Sequence, residues 1–142
     1  MTPGLPALPE LTLPWPDPRL SPNARVHWAS KAKAASTARE LAGFSALAQG
    51  WSARSVQALP SDMYLNLWID FYPPTRRHRD DDNLLSSFKP YRDGLSDALH
   101  INDMRFISHP RVHPEPVKGG QVKVKLTIAG TTKRTPPLRI PQ

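Results

Sequence analysis

Three consecutive aspartates, Asp80, Asp81 and Asp82, follow directly on Arg76, Arg77, His78 and Arg79. In an extended segment Asp80 and Asp82 point to one side and Asp81 to the other. Two carboxylates on one side can take a hard divalent cation such as Mg²⁺ or Mn²⁺, which prefers oxygen ligands and keeps several waters. A third carboxylate would complete the set, and Asp103, in the stretch HINDMRF, is the candidate. A cation held this way polarises a phosphoryl oxygen and activates water for in-line attack. The arginines suit the other half of that chemistry. Guanidinium forks match phosphate oxygens, and each such contact adds salt-dependent affinity. The same cluster has a plainer reading. Aspartate is a favoured N-cap, acids stabilise a first helical turn, and arginines beside aspartates can form a solvated salt network of little energetic weight.

Downstream, Asp82, Ser86, Lys89 and Asp93 recur at spacings of four, three and four. One polar helical face then carries an acid, a lysine and a second acid. Lys89 suits stabilisation of a pentacoordinate phosphate or a leaving oxygen. It equally suits an ordinary pair with Asp93, worth about 0.3 kcal/mol. Leu84, Phe88, Tyr91, Leu95 and Ala98 make the apolar stripe of the same helix, which starts near Asp82. Pro90 removes the bond to the Ser86 carbonyl, so the helix either kinks there or begins a second piece near that residue.

These side chains need a scaffold. Met63 to Tyr72 alternates, with Met63, Leu65, Leu67, Ile69 and Phe71 on one face and Tyr64, Asn66, Trp68, Asp70 and Tyr72 on the other, which predicts a strand. Gln121 to Ile128 alternates again, with Val122, Val124, Leu126 and Ile128 inward and Lys123, Lys125 and Thr127 outward. Gly119-Gly120 reads as the turn before it, and Phe106 to Val112 as a further strand. Leu11 to Leu13 is a short strand stopped by Pro14, and the alanine-rich run from about Trp28 to Gln49 is a helix stopped at Gly50. The expected fold is α/β (α+β): a small mixed sheet of about four strands packed with two main helices in a single domain.

The length, 142 residues, suits one domain. A proline-rich leader over 1–10 and a basic, proline-rich tail over 131–142 flank a domain at 11–130; both ends are expected to be poorly ordered. The net charge of +7 favours an anionic partner, most often nucleic acid. The absence of cysteine excludes disulfides and thiolate metal sites. No apolar run is long enough to span a membrane and the first residues lack signal-peptide features, so a cytoplasmic protein without a membrane partner is expected. The phosphate loop, H-E-x-x-H, G-x-S-x-G and dinucleotide signatures are all missing. The four tryptophans suit stacking on unpaired bases, or core and loop packing, the latter being expected for most.

LPWPDPRLSPNARVHW, followed by RRHRDDDNLLSSFKPYRDGLSDALHINDMRF, resembles the RusA-type Holliday-junction resolvases, which are frequent in phages and prophages. The resemblance covers roughly Leu11 to Ile128. The family pattern D-x-D-N-L falls on Asp80, Asp81, Asp82, Asn83 and Leu84, its helical lysine on Lys89 and its late acid on Asp103. In the family the lysine follows the second aspartate by four residues; here Ser86 stands at that place and Lys89 comes three residues later, on the same helical face. Asn102 stands where the family often has an acid.

The resemblance implies a small α/β homodimeric endonuclease of DNA recombination and repair. It would use Mg²⁺, with Mn²⁺ as a substitute, on Asp80, Asp82 and Asp103 to hydrolyse phosphodiesters of a four-way junction. Lys89 would stabilise the transition state, with Asn83 and Asp93 in support. Arg76, Arg77, Arg79, Asn23, Lys123 and Lys125 would hold the DNA. The alternatives are a basic protein that binds branched DNA without chemistry and an RNA-binding accessory protein.

Overall fold

Alternating apolar residues build the sheet. The computed structural model describes residues 8–131. Its strands are β1 (Leu11–Pro14), β2 (Tyr64–Tyr72), β3 (Phe106–Val112) and β4 (Gln121–Gly130), in the spatial order β1-β4-β2-β3. β4 runs antiparallel to β1 and to β2, whereas β3 runs parallel to β2. The helices are α1 (Trp28–Ala48), the one-turn α2 (Arg54–Gln57) and α3 (Asp81–Leu99). The protein is a single mixed α/β domain with two main helices. Most of the leader (1–7) and nearly all of the tail (132–142) lie outside the described residues. None of the helices among the described residues is long and apolar enough to cross a membrane.

Leu65, Leu67, Ile69 and Phe71 of β2 and Val122 and Val124 of β4 are fully buried. Against that sheet face pack Leu84, Phe88, Tyr91, Leu95 and Ala98 of α3, the whole of the apolar stripe. The Tyr91 hydroxyl donates to the Pro14 carbonyl (3.1 Å), and burial, aided by Asp17, pushes its pKa up to about 12, so the donor stays protonated. From α1 come Ala34, Ala38, Ala42 and Ala46, four residues apart and all buried. Small residues at helical spacing let two helices approach closely. The approach is closest at Gly94 of α3, where a Cβ would overlap the Arg39 carbonyl oxygen and lie 2.9 Å from Ala42 Cβ. A bidentate pair, Arg39 to Asp97 at 2.6 and 2.8 Å, ties the same two helices at the surface. α3 continues as one helix through Pro90. Ser86, whose carbonyl loses its partner, is exposed, so water can satisfy it.

The second face of β2 is less open than its alternation suggests. Asn66 and Asp70 are buried, because β3 and the residue that follows it lie alongside and supply partners. His109 sits 2.8 Å from Asn66 Oδ1 and His113 3.0 Å from Asp70 Oδ1. The rings stack as well, Trp68 on His109 at 4.3 Å and Tyr72 on His113 at 4.1 Å. The packed unit also reaches back beyond Leu11. Leu8 packs on the core, the Trp51 indole donates to the Pro9 carbonyl (2.8 Å), and Glu10 lies 3.7 Å from Lys123 and 3.5 Å from Lys125. Three tryptophans therefore pack: Trp51 in the core, Trp68 on His109, and Trp15 edge-on to Phe71 at 6.0 Å. Trp28 is three-quarters exposed.

Candidate active site

α3 is the crossover between two parallel neighbours, so its start follows the end of β2 and its end feeds β3. The aspartates stand at that start. Asp80 is the N-cap: its Oδ1 accepts from the backbone N–H of Asp82 (2.8 Å) and of Asn83 (3.3 Å). Asp81 and Asp82 occupy the first turn, where the helix dipole favours negative charge. Asn83 accepts at its carbonyl from the buried Ser87 hydroxyl (3.0 Å). The cap makes a prediction. Asp80→Ala lowers stability by about 1 kcal/mol in urea unfolding, and Asp80→Ser recovers most of it; equal stability of all three proteins would show that the cap carries no weight.

Two recesses flank this helix start. One, of about 580 Å³, is bordered by Trp15, Asn23, Arg77, His78, Arg79, Asp80 and Asn83. The other, of about 550 Å³, is a groove between α3 and β3 lined by Asp82, Ser86, Lys89, Arg92, Phe106 and Ser108. Asp80 and Asp82 thus border different recesses. Extended-chain geometry places them on one side, but the cap turns the chain into the helix between them.

The late acid does return. His100 takes a left-handed conformation (φ 54°), ends α3 and reverses the chain. Asn102 then caps a short 3₁₀ turn, Asp103–Arg105, by accepting from Met104 N–H (2.9 Å). This carries the Asp103 carboxylate to 3.8 Å from Lys89 Nζ, which lies 3.2 Å from Asp93 on its other side. Lys89 is therefore both the expected surface partner of Asp93 and a neighbour of Asp103. Asp82 precedes it by seven residues, about 10 Å along the helix axis.

The donor chemistry of Asp80, Asp82 and Asp103, all hard carboxylate oxygens, suits Mg²⁺. Their placement does not form a ligand set: among the described residues no three His, Asp or Glu side chains stand together as a metal group. Asp80 commits one oxygen to the cap, and the Lys89 ammonium lies beside Asp103, where it supplies the positive charge.

The arginines divide by role. Arg76 pairs with Glu115 at 3.2 Å, both largely exposed. Arg77 borders the Asp80 recess. Arg79 donates to the Thr75 carbonyl (3.0 Å), the Arg77 carbonyl (2.8 Å) and Thr75 Oγ1 (2.9 Å), and lies over the Trp15 ring at 5.4 Å. Its guanidinium braces the loop. Burial, and then the Arg77 charge, hold its pKa below the usual guanidinium value. Asn23 reaches the same recess from the loop after β1. Lys123 and Lys125 share Glu10, and Lys123 also lies 5.6 Å from the Tyr72 ring centre.

Arg92 and Ser108 are the groove residues that motif reading passes over. Arg92 Nη2 donates to the Asp103 carbonyl (2.7 Å) and the Phe106 carbonyl (2.9 Å). Arg92 Nε and Ser108 Oγ are buried without a hydrogen-bond partner. The one available signal was spacing: Arg92 follows Lys89 by three residues and so neighbours it on the helix surface.

No family model matches the chain. An uncharacterized protein of Xylella fastidiosa (strain Temecula1) is 52% identical over 131 residues, which cover 92% of this chain and 82% of that protein. The chain belongs to that protein's family. The shared span is long enough to include most of the sheet, both main helices and the surroundings of Asp82, Lys89 and Asp103.

Proposed function

We propose that the protein is a metal-dependent, structure-selective DNA endonuclease of the RusA type, which resolves Holliday junctions by paired, symmetric hydrolysis. The observation that carries this reading is the convergence of Lys89 and Asp103, from separate segments, beside the groove that Asp82 lines. The Arg77-bordered recess on the other side of the helix start supports a second contact with the nucleic-acid backbone. Lys89 would stabilise charge on the phosphate. Mg²⁺ would supply Lewis acidity and an activated water, and Asp82, which lines the groove, is the carboxylate placed to hold it there. A homodimer suits a substrate that is close to two-fold symmetric and needs two nicks. The products would carry 5′-phosphate and 3′-hydroxyl ends, and the setting would be the cytoplasm of a bacterial or phage-infected cell.

One observation favours a second reading, a basic protein that grips branched DNA without cutting it. The acids do not form a metal group among the described residues, and Asp80 works as a cap. The two readings part on an end-labelled synthetic four-way junction, incubated with Mg²⁺ and then with EDTA. Symmetric nicks that need the metal, with binding retained in EDTA, are expected. Tight binding with no strand cut in Mg²⁺ or Mn²⁺ would leave only the binding protein.

A further inference from the structure

We propose that Arg92 is a positioning residue of this site, fixing the Asp103 turn to α3 so that the Asp103 carboxylate faces Lys89; the proposal rests on the endonuclease reading. A single guanidinium nitrogen, Nη2, donates to the carbonyls of Asp103 and Phe106, the residues at the start and just past the end of the 3₁₀ turn Asp103–Arg105. The turn is therefore pinned to the helix at both ends by one side chain.

That side chain has little freedom. The guanidinium carbon lies 5.9 Å from the centre of the Phe106 ring, and Phe106 is 1% exposed. Nε is buried without a partner, a condition a core normally avoids. The two hydrogen bonds of this guanidinium to the turn both come from Nη2.

The fold of the turn does not depend on Arg92. Asn102 caps it, and Arg105 anchors its far side by donating to the carbonyls of Met63 (2.8 Å) and Pro60 (3.1 Å). What Arg92 supplies is the hydrogen-bonded link between the turn and the helix that carries Lys89, one turn earlier, beside the longer Lys89–Asp103 ion pair. Without it the turn still forms but, held only by Asn102 and Arg105, opens more often and loses its register on α3. Asp103, 3.8 Å from Lys89, is the group that register places.

The test uses the full chain and four variants: Arg92→Gln, Arg92→Lys, Asp103→Asn and the double variant Arg92→Gln/Asp103→Asn. Loss of a residue that orients an active-site ligand costs roughly 10- to 100-fold. Arg92→Gln is expected to cut a four-way junction at least about ten-fold more slowly while binding it as wild type does. The double variant is expected to cut no more slowly than Asp103→Asn, since both changes disable one group, and Arg92→Lys to recover part of the loss. Amide hydrogen exchange in Arg92→Gln is expected to quicken at Met104 to Phe106 and nowhere else. Multiplying losses, or wild-type cutting by Arg92→Gln, would overturn the proposal. A wild type that cuts nothing would refute the endonuclease reading separately. In that case the exchange decides the structural claim: quickened exchange at the turn upholds it, and unchanged exchange overturns it.

Discussion

Asp82→Asn abolishes junction cleavage and leaves junction binding intact: that is the expected outcome with the largest effect on activity. The substitution keeps the shape of the side chain and removes only its charge. Asp80, not Asp82, caps α3, so the helix start survives. The stability cost is the lost interaction of one exposed carboxylate with the helix dipole, roughly 0.3–1 kcal/mol. A carboxylate that takes part in activating water is worth at least about 100-fold in rate. Binding should not fall, because the partner is an anion and the variant is one charge more positive. End-labelled junctions measure the rate and gel retardation in EDTA measures the affinity. Cleavage at the wild-type rate would remove Asp82 from the chemistry. Loss of binding would mean that the groove grips DNA through this residue, which a carboxylate alone does not explain.

Gly94→Ala carries the largest expected effect on stability. In a helix the exchange normally gains about 1 kcal/mol. Here the added Cβ overlaps the Arg39 carbonyl oxygen and meets Ala42 Cβ at 2.9 Å. Neither obstacle is the end of a flexible side chain, so α1 and α3 must move apart. Overpacking of this kind costs typically 1–3 kcal/mol; at the upper end, set against the helix gain, the net loss is about 2 kcal/mol, which lowers Tm by roughly 7 °C in a domain this size. Gly43→Ala is the internal control, since its Cβ would meet only the Gly94 carbonyl oxygen, at 3.4 Å. It should melt within a few degrees of wild type. Equal melting of all three proteins by circular dichroism would mean that the helices are not held at this distance.

The scaffold was legible wherever periodicity was strong. The apolar stripe of α3, the inward faces of β2 and β4 and the Gly119-Gly120 turn all follow from residue spacing, and both glycines adopt positive φ, 77° and 72°. Parallel pairing of β3 with β2 was not legible, since alternation says which way side chains point and not which strand lies alongside. For the same reason the burial of Asn66 and Asp70 was hidden; their partners are some forty residues away in sequence. At the site, the stripe of Asp82, Lys89 and Asp93 could be read from spacing, and Asp103 could be picked out as the candidate third acid, but its return to Lys89 could not, because it depends on the left-handed turn at His100. The separation of Asp80 from Asp82 could not, because an extended and a capped segment differ only in backbone torsion. Nor could the internal use of Arg79: a run of arginines has the composition of a phosphate grip even when one guanidinium is bonded to its own loop.

The strand order has a consequence for how the protein comes into being. Among the described residues β4 is the last strand; it lies between β1 and β2 and is the strand with which β1 pairs. During synthesis β1 emerges first and waits on the order of a hundred residues for its partner, a long loop to close. The β2–α3–β3 unit ends at Val112, shortly before β4 begins at Gln121, so until that strand is made the nascent chain exposes the flank of β2 where β4 will insert. An unpaired strand edge of this kind invites pairing with other chains. Lys123 and Lys125, facing outward on the inserting strand, and Glu10, beside β1, give that late step a charge match of its own.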